Sequence, residues 1–311
     1  MIGIQAIASY IPPARISNFD RKGEFNIDDR FIEDKIGFRA VARMGAEDQA
    51  SSLCEKAYDR LAGKMEFKKS AIQAVIVVTQ TPDANIPHVS AWLNGKLGLP
   101  EECACFDISL GCSGYVHGLS VALAFMAANG MSHGLLFTSD PYSRIIDNGD
   151  KNTALLFGDG ATVTYLSDKP VLVPGHFSFG TIGRESAELR IRDRNLYMNG
   201  RAIFNFAARN IPRDVKRVLA ANQLELSDVD SFVFHQGSRY IVEAIANALG
   251  IPKAKAPFGA ADYGNTVSSS VPMILESEME IGDRKLILVS GFGVGLSWAS
   301  TILKRTKVVS A

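Results

Sequence analysis

The chain has 311 residues, 47% hydrophobic and 21% charged, enough for about two domains around a large core. Lys+Arg and Asp+Glu both number 33, and this balance argues against a general nucleic-acid or membrane-binding surface. No run approaches a membrane span, no basic and apolar leader opens the chain, and four cysteines in so long a sequence point to a reducing, cytoplasmic setting.

Met1–Gln5 leads straight into a strand-like segment. Ala71–Thr81 reads as a polar lead-in to a buried strand that ends at Thr79-Gln80. Cys103-Ala104-Cys105 has no His/Cys pair of ligand spacing beside it, so no metal site is expected there. Phe106–Tyr115 then carries an apolar stretch into small residues around Cys112. Val116, Leu119, Leu123 and Met126 keep helical spacing over Tyr115–Ala128, and Asn129-Gly130 supplies the stop. A thiol where a strand turns into a helix faces unpaired N–H groups and the positive end of the helix dipole; both favour the thiolate. His117, five residues on, is turned away from it, and His88, His133 and His176 have loop-like surroundings.

Strands and helices alternate throughout, the pattern of an α/β fold. Leu226–Ser238, with its strand ending at His235-Gln236, resembles Ala71–Thr81; Lys285–Gly291 resembles Gly134–Asp140. Gln80 and Gln236 lie 156 positions apart, Ser139 and Ser290 151. Two duplicated halves follow, 1–168 with the cysteine and 169–311 with the histidine, joined near Ser167–Pro170 after the Gly158-Asp159-Gly160-Ala161 strand. Asn265, ahead of a helix beginning near Val271-Pro272, takes the place in the second half that Cys112 holds in the first. Sites in open α/β sheets gather at the carboxyl ends of strands, so symmetry brings Cys112, His235 and Asn265 together between the halves.

Asp107-Ile-Ser-Leu-Gly-Cys112-Ser-Gly, Phe157-Gly-Asp-Gly-Ala161, His235-Gln236, Gly264-Asn265-Thr266 and Gly291-Phe-Gly-Val-Gly-Leu-Ser-Trp298 together resemble the β-ketoacyl-acyl-carrier-protein synthase III family over nearly the whole chain. The resemblance implies a thiolase-like fold, duplicated into five αβαβα layers, and a homodimer. It implies that Cys112 takes an acyl group from a CoA or carrier-protein thioester, with the Cys112 N–H and one near Val294 forming the oxyanion hole. His235 and Asn265 would donate to the carbonyl of a malonyl-type thioester as CO2 leaves, and the carbanion would attack the acyl group. No metal and no cofactor beyond acyl-CoA as substrate is implied. An acyl carrier protein is the implied macromolecular partner.

The sequence departs from the family around the CoA mouth. Phe31 stands where the family has Trp, and Lys35 and Lys151 stand for its arginines, which lose the planar fork. Ser238 replaces an asparagine; with Phe204 it is carried over to the substrate wall. Asn205, Asn247 and Ala248 stand where carrier-docking members have lysines. Arg213 and Arg217 share a helix face, read as solvated rather than as a replacement dock. Ile86, on the segment a partner subunit contributes, replaces a chain-length-limiting aromatic and implies a starter longer or more branched than acetyl. The alternative activity is acyl transfer to a hydroxyl, amine or thiol without condensation. A Cys-His-Asn peptidase conflicts with the duplicated pattern, and a non-catalytic subunit with the intact triad.

Overall fold

The computed structural model describes residues 1–306; the last five residues of the expected second half lie outside it. The first half of the chain contains β1 (Gly3–Tyr10), β2 (Ala14–Ser17), α1 (Lys22–Phe25), a wide helical turn over Phe31–Ile36, β3 (Ala40–Arg43), α2 (Ala50–Lys64), β4 (Ala74–Val78), α3 (Val89–Leu97), β5 (Ala104–Ile108), α4 (Gly114–Ala128), β6 (His133–Ser139), α5 (Lys151–Ala154) and β7 (Ala161–Ser167). After the turn at 168–171 come β8 (Leu172–Thr181), β9 (Leu189–Arg192), β10 (Asn195–Met198), α6 (Gly200–Ala221), β11 (Ser231–Phe234), α7 (Arg239–Leu249), α8 (Ser270–Glu280), β12 (Leu286–Gly293) and β13 (Ser297–Arg305).

Nine strands run in the order β11-β12-β13-β8-β1-β7-β6-β4-β5. From the central β1/β8 contact outward, each side repeats two antiparallel pairings and then a parallel one: β1-β7-β6-β4 and β8-β13-β12-β11. The segments matched by sequence, Ala71–Thr81 with Leu226–Ser238 and Gly134–Asp140 with Lys285–Gly291, therefore occupy equivalent places. β5 has no counterpart. Ahead of Asn265 the chain runs Ala256-Pro257-Phe258-Gly259, and Pro cannot donate to a ladder. Only an isolated bridge, Phe157 to Asn265, forms there.

Period-two burial on these strands builds the layers. Val75 and Val77 of β4 face the α2/α3 core with Leu53, Leu61 and Leu93, whereas Ile76 and Val78 face the other way onto Val116 and Leu119 of α4. In β11, Phe232 and Phe234 join the α6/α7 core with Phe206, Val215 and Val242, while Val233 joins the α4/α8 core with Val271 and Leu275. The result is five layers, with α4 and α8 sandwiched in the middle. Gly118 lets α4 sit that close: a Cβ there would lie 2.7 Å from Val78 Cγ2. Both middle helices start at the same end of the sheet, which puts Cys112 and Asn265 at one end of the molecule.

His133 and His176 are not in loops, as their surroundings had suggested. His133 opens β6 and bonds Tyr165 Oη at 3.0 Å, and His176 lies in β8, where the strand runs on across the short gap after β7. His117 is half-buried on α4, its Nδ1 3.0 Å from the Ser113 carbonyl and its ring tilted against Phe179 at 5.1 Å. Among the described residues no helix is long and apolar enough to cross a membrane.

Candidate active site

Cys112, His235 and Asn265 meet at one cleft of about 980 Å³, and all three are nearly buried, at 4%, 3% and 4% exposure. Cys112 directly precedes the Ser113 cap of α4. The β12–β13 turn crosses over its sulfur. At Gly293, φ is 159° and a Cβ would lie 2.7 Å from Cys112 Sγ, so a side chain there would occupy the thiol's own space. The Val294 and Cys112 backbone N–H groups hydrogen-bond the thiol and pull its pKa down, but burial outweighs them and pushes it up to about 12. The resting thiolate expected from the helix start is therefore corrected. Removing the sulfur from water costs more than the helix end and two N–H groups return.

His235 ends β11. Its Nδ1 is 2.6 Å from Ser270 Oγ, the first residue of α8. The Gln236 N–H also donates to that oxygen, at 3.4 Å. The Ser270 hydroxyl can donate to Nδ1, the arrangement that puts the ring proton on Nε2. Burial takes the His235 pKa down to about 3, so the ring is neutral and a donor at neutral pH. Asn265 is oriented by a different bond. Its Oδ1 accepts the Val267 N–H at 2.9 Å, which leaves the amide Nδ2 free to donate. Val267 pays for this with φ of 55°, a left-handed conformation rare for a β-branched residue. We expect Ser270→Ala to slow condensation about tenfold while sparing acylation of Cys112, because the imidazole loses its tautomer lock; assay of the two half-reactions separates these.

A buried network behind the thiol escaped the sequence reading. Asp140, at the end of β6, accepts the Gln80 N–H at 2.6 Å and the Ser268 N–H at 3.3 Å. Tyr142 Oη donates to Gln80 Oε1 at 2.8 Å. Asp140 thus ties the Cys112 side of the site to the turn carrying Asn265. The duplication held a signal for it, since Gln80 is the counterpart of Gln236, whose amide braces Phe234 and Gly259. Ser270 had none, lying 35 positions from the histidine it contacts.

Burial raises the Asp140 pKa from 3.8 to about 6. A carboxyl with a raised folded pKa holds its proton more tightly when folded, so its contribution is full below pH 3.8 and lost as pH rises through about 6. Asp140→Asn should therefore gain on the wild type by about 2 kcal/mol between pH 4 and 7. Paired denaturation curves at the two pH values measure this, and a constant difference would contradict it.

Phe31, Lys35, Lys151, Phe204 and Ser238 all line the same cleft. Lys151 and Lys35 place their ammonium groups 4.8 and 5.4 Å from the Phe31 ring centroid, in cation–π contact. Ser238 caps α7, its Oγ accepting the Ile241 N–H at 3.2 Å. Phe204 stacks on Tyr240 at 5.0 Å. Ile86 is not brought in: it is 86% exposed and lies outside the cleft lining. Arg213 and Arg217 both stay exposed, and Arg217 is in addition held by Asp214, Ser178 Oγ and the Phe179 carbonyl. Among the described residues no group of three or more His, Cys, Asp or Glu side chains is placed to hold a metal ion.

Comparison with known proteins gives one consistent result. The profile described as 3-oxoacyl-[acyl-carrier-protein (ACP)] synthase III matches residues 106–179, and its C-terminal counterpart matches 219–305. β-Ketoacyl-[acyl-carrier-protein] synthase III of Streptococcus sanguinis is 31% identical over 96% of this chain and 98% of its own length. A crystal structure of 3-oxoacyl-(acyl-carrier-protein) synthase III superposes with a TM-score of 0.92 at 30% identity, covering 97% of this chain and 99% of that one. The priming β-ketosynthase of the R1128 polyketide pathway superposes with a TM-score of 0.89 at 26% identity, over 98% and 96% of the two chains.

Proposed function

Because the chain belongs to the 3-oxoacyl-[acyl-carrier-protein] synthase III family of thiolase-fold condensing enzymes, we propose that Cys112 carries its acyl group and that His235 and Asn265 drive the decarboxylative step. The observation that carries this reading is the convergence of a thiol and two cleft-facing donors on one buried floor.

Cys112 attacks the donor thioester, and its proton passes to the sulfur of the departing CoA. The Val294 and Cys112 N–H groups, which contact the thiol before substrate arrives, turn to the acyl carbonyl and hold the oxyanion of the tetrahedral intermediate. Collapse expels CoA and leaves the acyl group on sulfur. A malonyl-type thioester then enters with its carbonyl oxygen between His235 Nε2–H and Asn265 Nδ2. Loss of CO2 places the bond's electrons in an enolate stabilised by both donors. Its carbon attacks the Cys112 acyl carbonyl, and Cys112 departs as a thiolate that takes a proton from solvent as the β-ketoacyl product leaves. No step needs a metal or an organic cofactor.

Phe31, Lys35 and Lys151 suit the nucleotide end of a CoA donor, with Phe204 and Ser238 along its arm. The halves 1–168 and 169–311 act as separate supports, one for the nucleophile and one for the two donors. A homodimer is supported by the free outer edge of β5 and by the apolar stripe beside it. That stripe runs through His117, Val121 and Phe125 of α4 and on to Phe106 and Phe179. Such a dimer would give exposed Ile86 a neighbouring site to enter, consistent with a longer or branched starter. Four free thiols suit a reducing compartment such as the cytoplasm.

The test is acylation with a panel of acyl-CoAs, followed by addition of a malonyl thioester. Release of CO2 with a β-ketoacyl product is expected. Acyl transfer to an added nucleophile without CO2 release would replace this reading with the non-condensing one.

A further inference from the structure

We propose that the β9–β10 hairpin and the first turn of α6 form the docking surface for the extender's bearer, a small carrier protein with an acidic face around its phosphopantetheine attachment. This rests on the condensing reading above. With Cys112, His235 and Asn265 each under 5% exposed, the extender carbonyl must arrive on a slender arm while the body that bears it stays on the rim. Tyr197, Met198, Gly200 and Arg201 form that part of the rim. Arg190 pairs in register with Tyr197 and Arg192 with Asn195, so both arginines share the hairpin face that carries Tyr197.

Charge singles this surface out. Residues 189–203, the hairpin and the first turn of α6, hold four Arg against one Asp, in a chain whose net charge is zero. Arg192, Arg209 and Arg217 pair with Asp193, Glu185 and Asp214. Arg190, Arg194 and Arg201 are exposed and make no ion pair among the described residues. Tyr197, 39% exposed, stands beside Arg190, while Ile191, 52% exposed, pairs with Leu196 on the other face of the hairpin. Arginines around an exposed tyrosine suit a protein interface, and the local excess of positive charge steers an acidic partner to the cleft mouth. The lysines that docking relatives carry are Asn205 and Asn247 here, so the positive face has moved from α6 and α7 to the hairpin.

The experiment compares wild type with Arg190→Glu/Arg192→Glu, residues outside the cleft lining. Probes are a malonyl-loaded acidic acyl carrier protein, malonyl-CoA, and vesicles of phosphatidylcholine with phosphatidylglycerol. The variant should raise KM for the malonyl carrier protein at least about tenfold and flatten its dependence on salt. Its acylation by acyl-CoA and its KM for malonyl-CoA should not change. An unchanged KM for the carrier substrate overturns the proposal, as does equal loss with malonyl-CoA, which would assign the arginines to CoA phosphates. Vesicle binding lost in the variant with carrier kinetics intact overturns it in favour of a lipid surface. A wild type that condenses no malonyl thioester defeats the condensing reading itself, whereas one that condenses only malonyl-CoA defeats the docking surface alone.

Discussion

Cys112→Ala should abolish the covalent acyl adduct and lower turnover by at least ~10⁴-fold, while the protein remains folded. The side chain sits at the floor of the cleft beneath Gly293, with two backbone N–H groups directed at its sulfur. No other thiol has that setting. Cys54 is fully buried and its thiol is pushed well up by burial; Cys105 lies on the edge strand β5 and Cys103 just before it, neither of them lining the cleft. Losing one buried sulfur costs roughly 1–2 kcal/mol, so unfolding does not account for lost activity. Intact mass after exposure to acyl-CoA reads the adduct. An adduct of equal yield in the variant would move the nucleophile elsewhere. The thiol's titration is a second readout. Because burial holds its pKa near 12, alkylation by iodoacetamide should keep accelerating through pH 9 without levelling. A plateau below pH 8 would show a resting thiolate.

His235→Ala and Asn265→Ala should each leave acylation of Cys112 within a few-fold of wild type and lower condensation by about 10²–10³-fold. Acylation needs the thiol and the N–H groups at Cys112 and Val294. Decarboxylation needs donors at the enolate oxygen, and each variant removes one. Removing both should cost less than the product of the single losses, since the two act on one oxygen. Equal loss of both half-reactions would contradict the division of labour. The pH profile adds a constraint. With its pKa lowered to about 3 by burial, His235 is neutral throughout the working range, so condensation should show no step near 6.5 from this residue. A histidine with a lowered folded pKa contributes stability that is full above pH 6.5 and lost as pH falls toward 3. Acid unfolding of His235→Ala should accordingly be shallower than that of the wild type.

Much of the site was legible before any coordinates. Cys112 was marked by a strand-to-helix turn with small residues around it, His235 by a strand end, and Asn265 by its place in the duplication. Each mark is local: hydrophobic period, turn chemistry and repeat spacing are written within ten or twenty residues. The missing partner of β5 was less legible, because an irregular segment and a strand differ there by little more than Pro257 and its glycines.

Sequence alone thus determined the α/β alternation and marked the three residues that meet in the cleft. Those follow from residue type and spacing along one dimension. Tertiary structure decided their states. The Cys112 thiol is protonated because burial outweighs the N–H groups that face it, and His235 is neutral because burial lowers its pKa, with Ser270 meeting its Nδ1 from α8. Asp140 sits beneath both halves of the site, and the arginines of β9 and β10 gather at its rim. Desolvation and hydrogen bonding are sums over residues far apart in the chain. They have no value until the five layers close around the site.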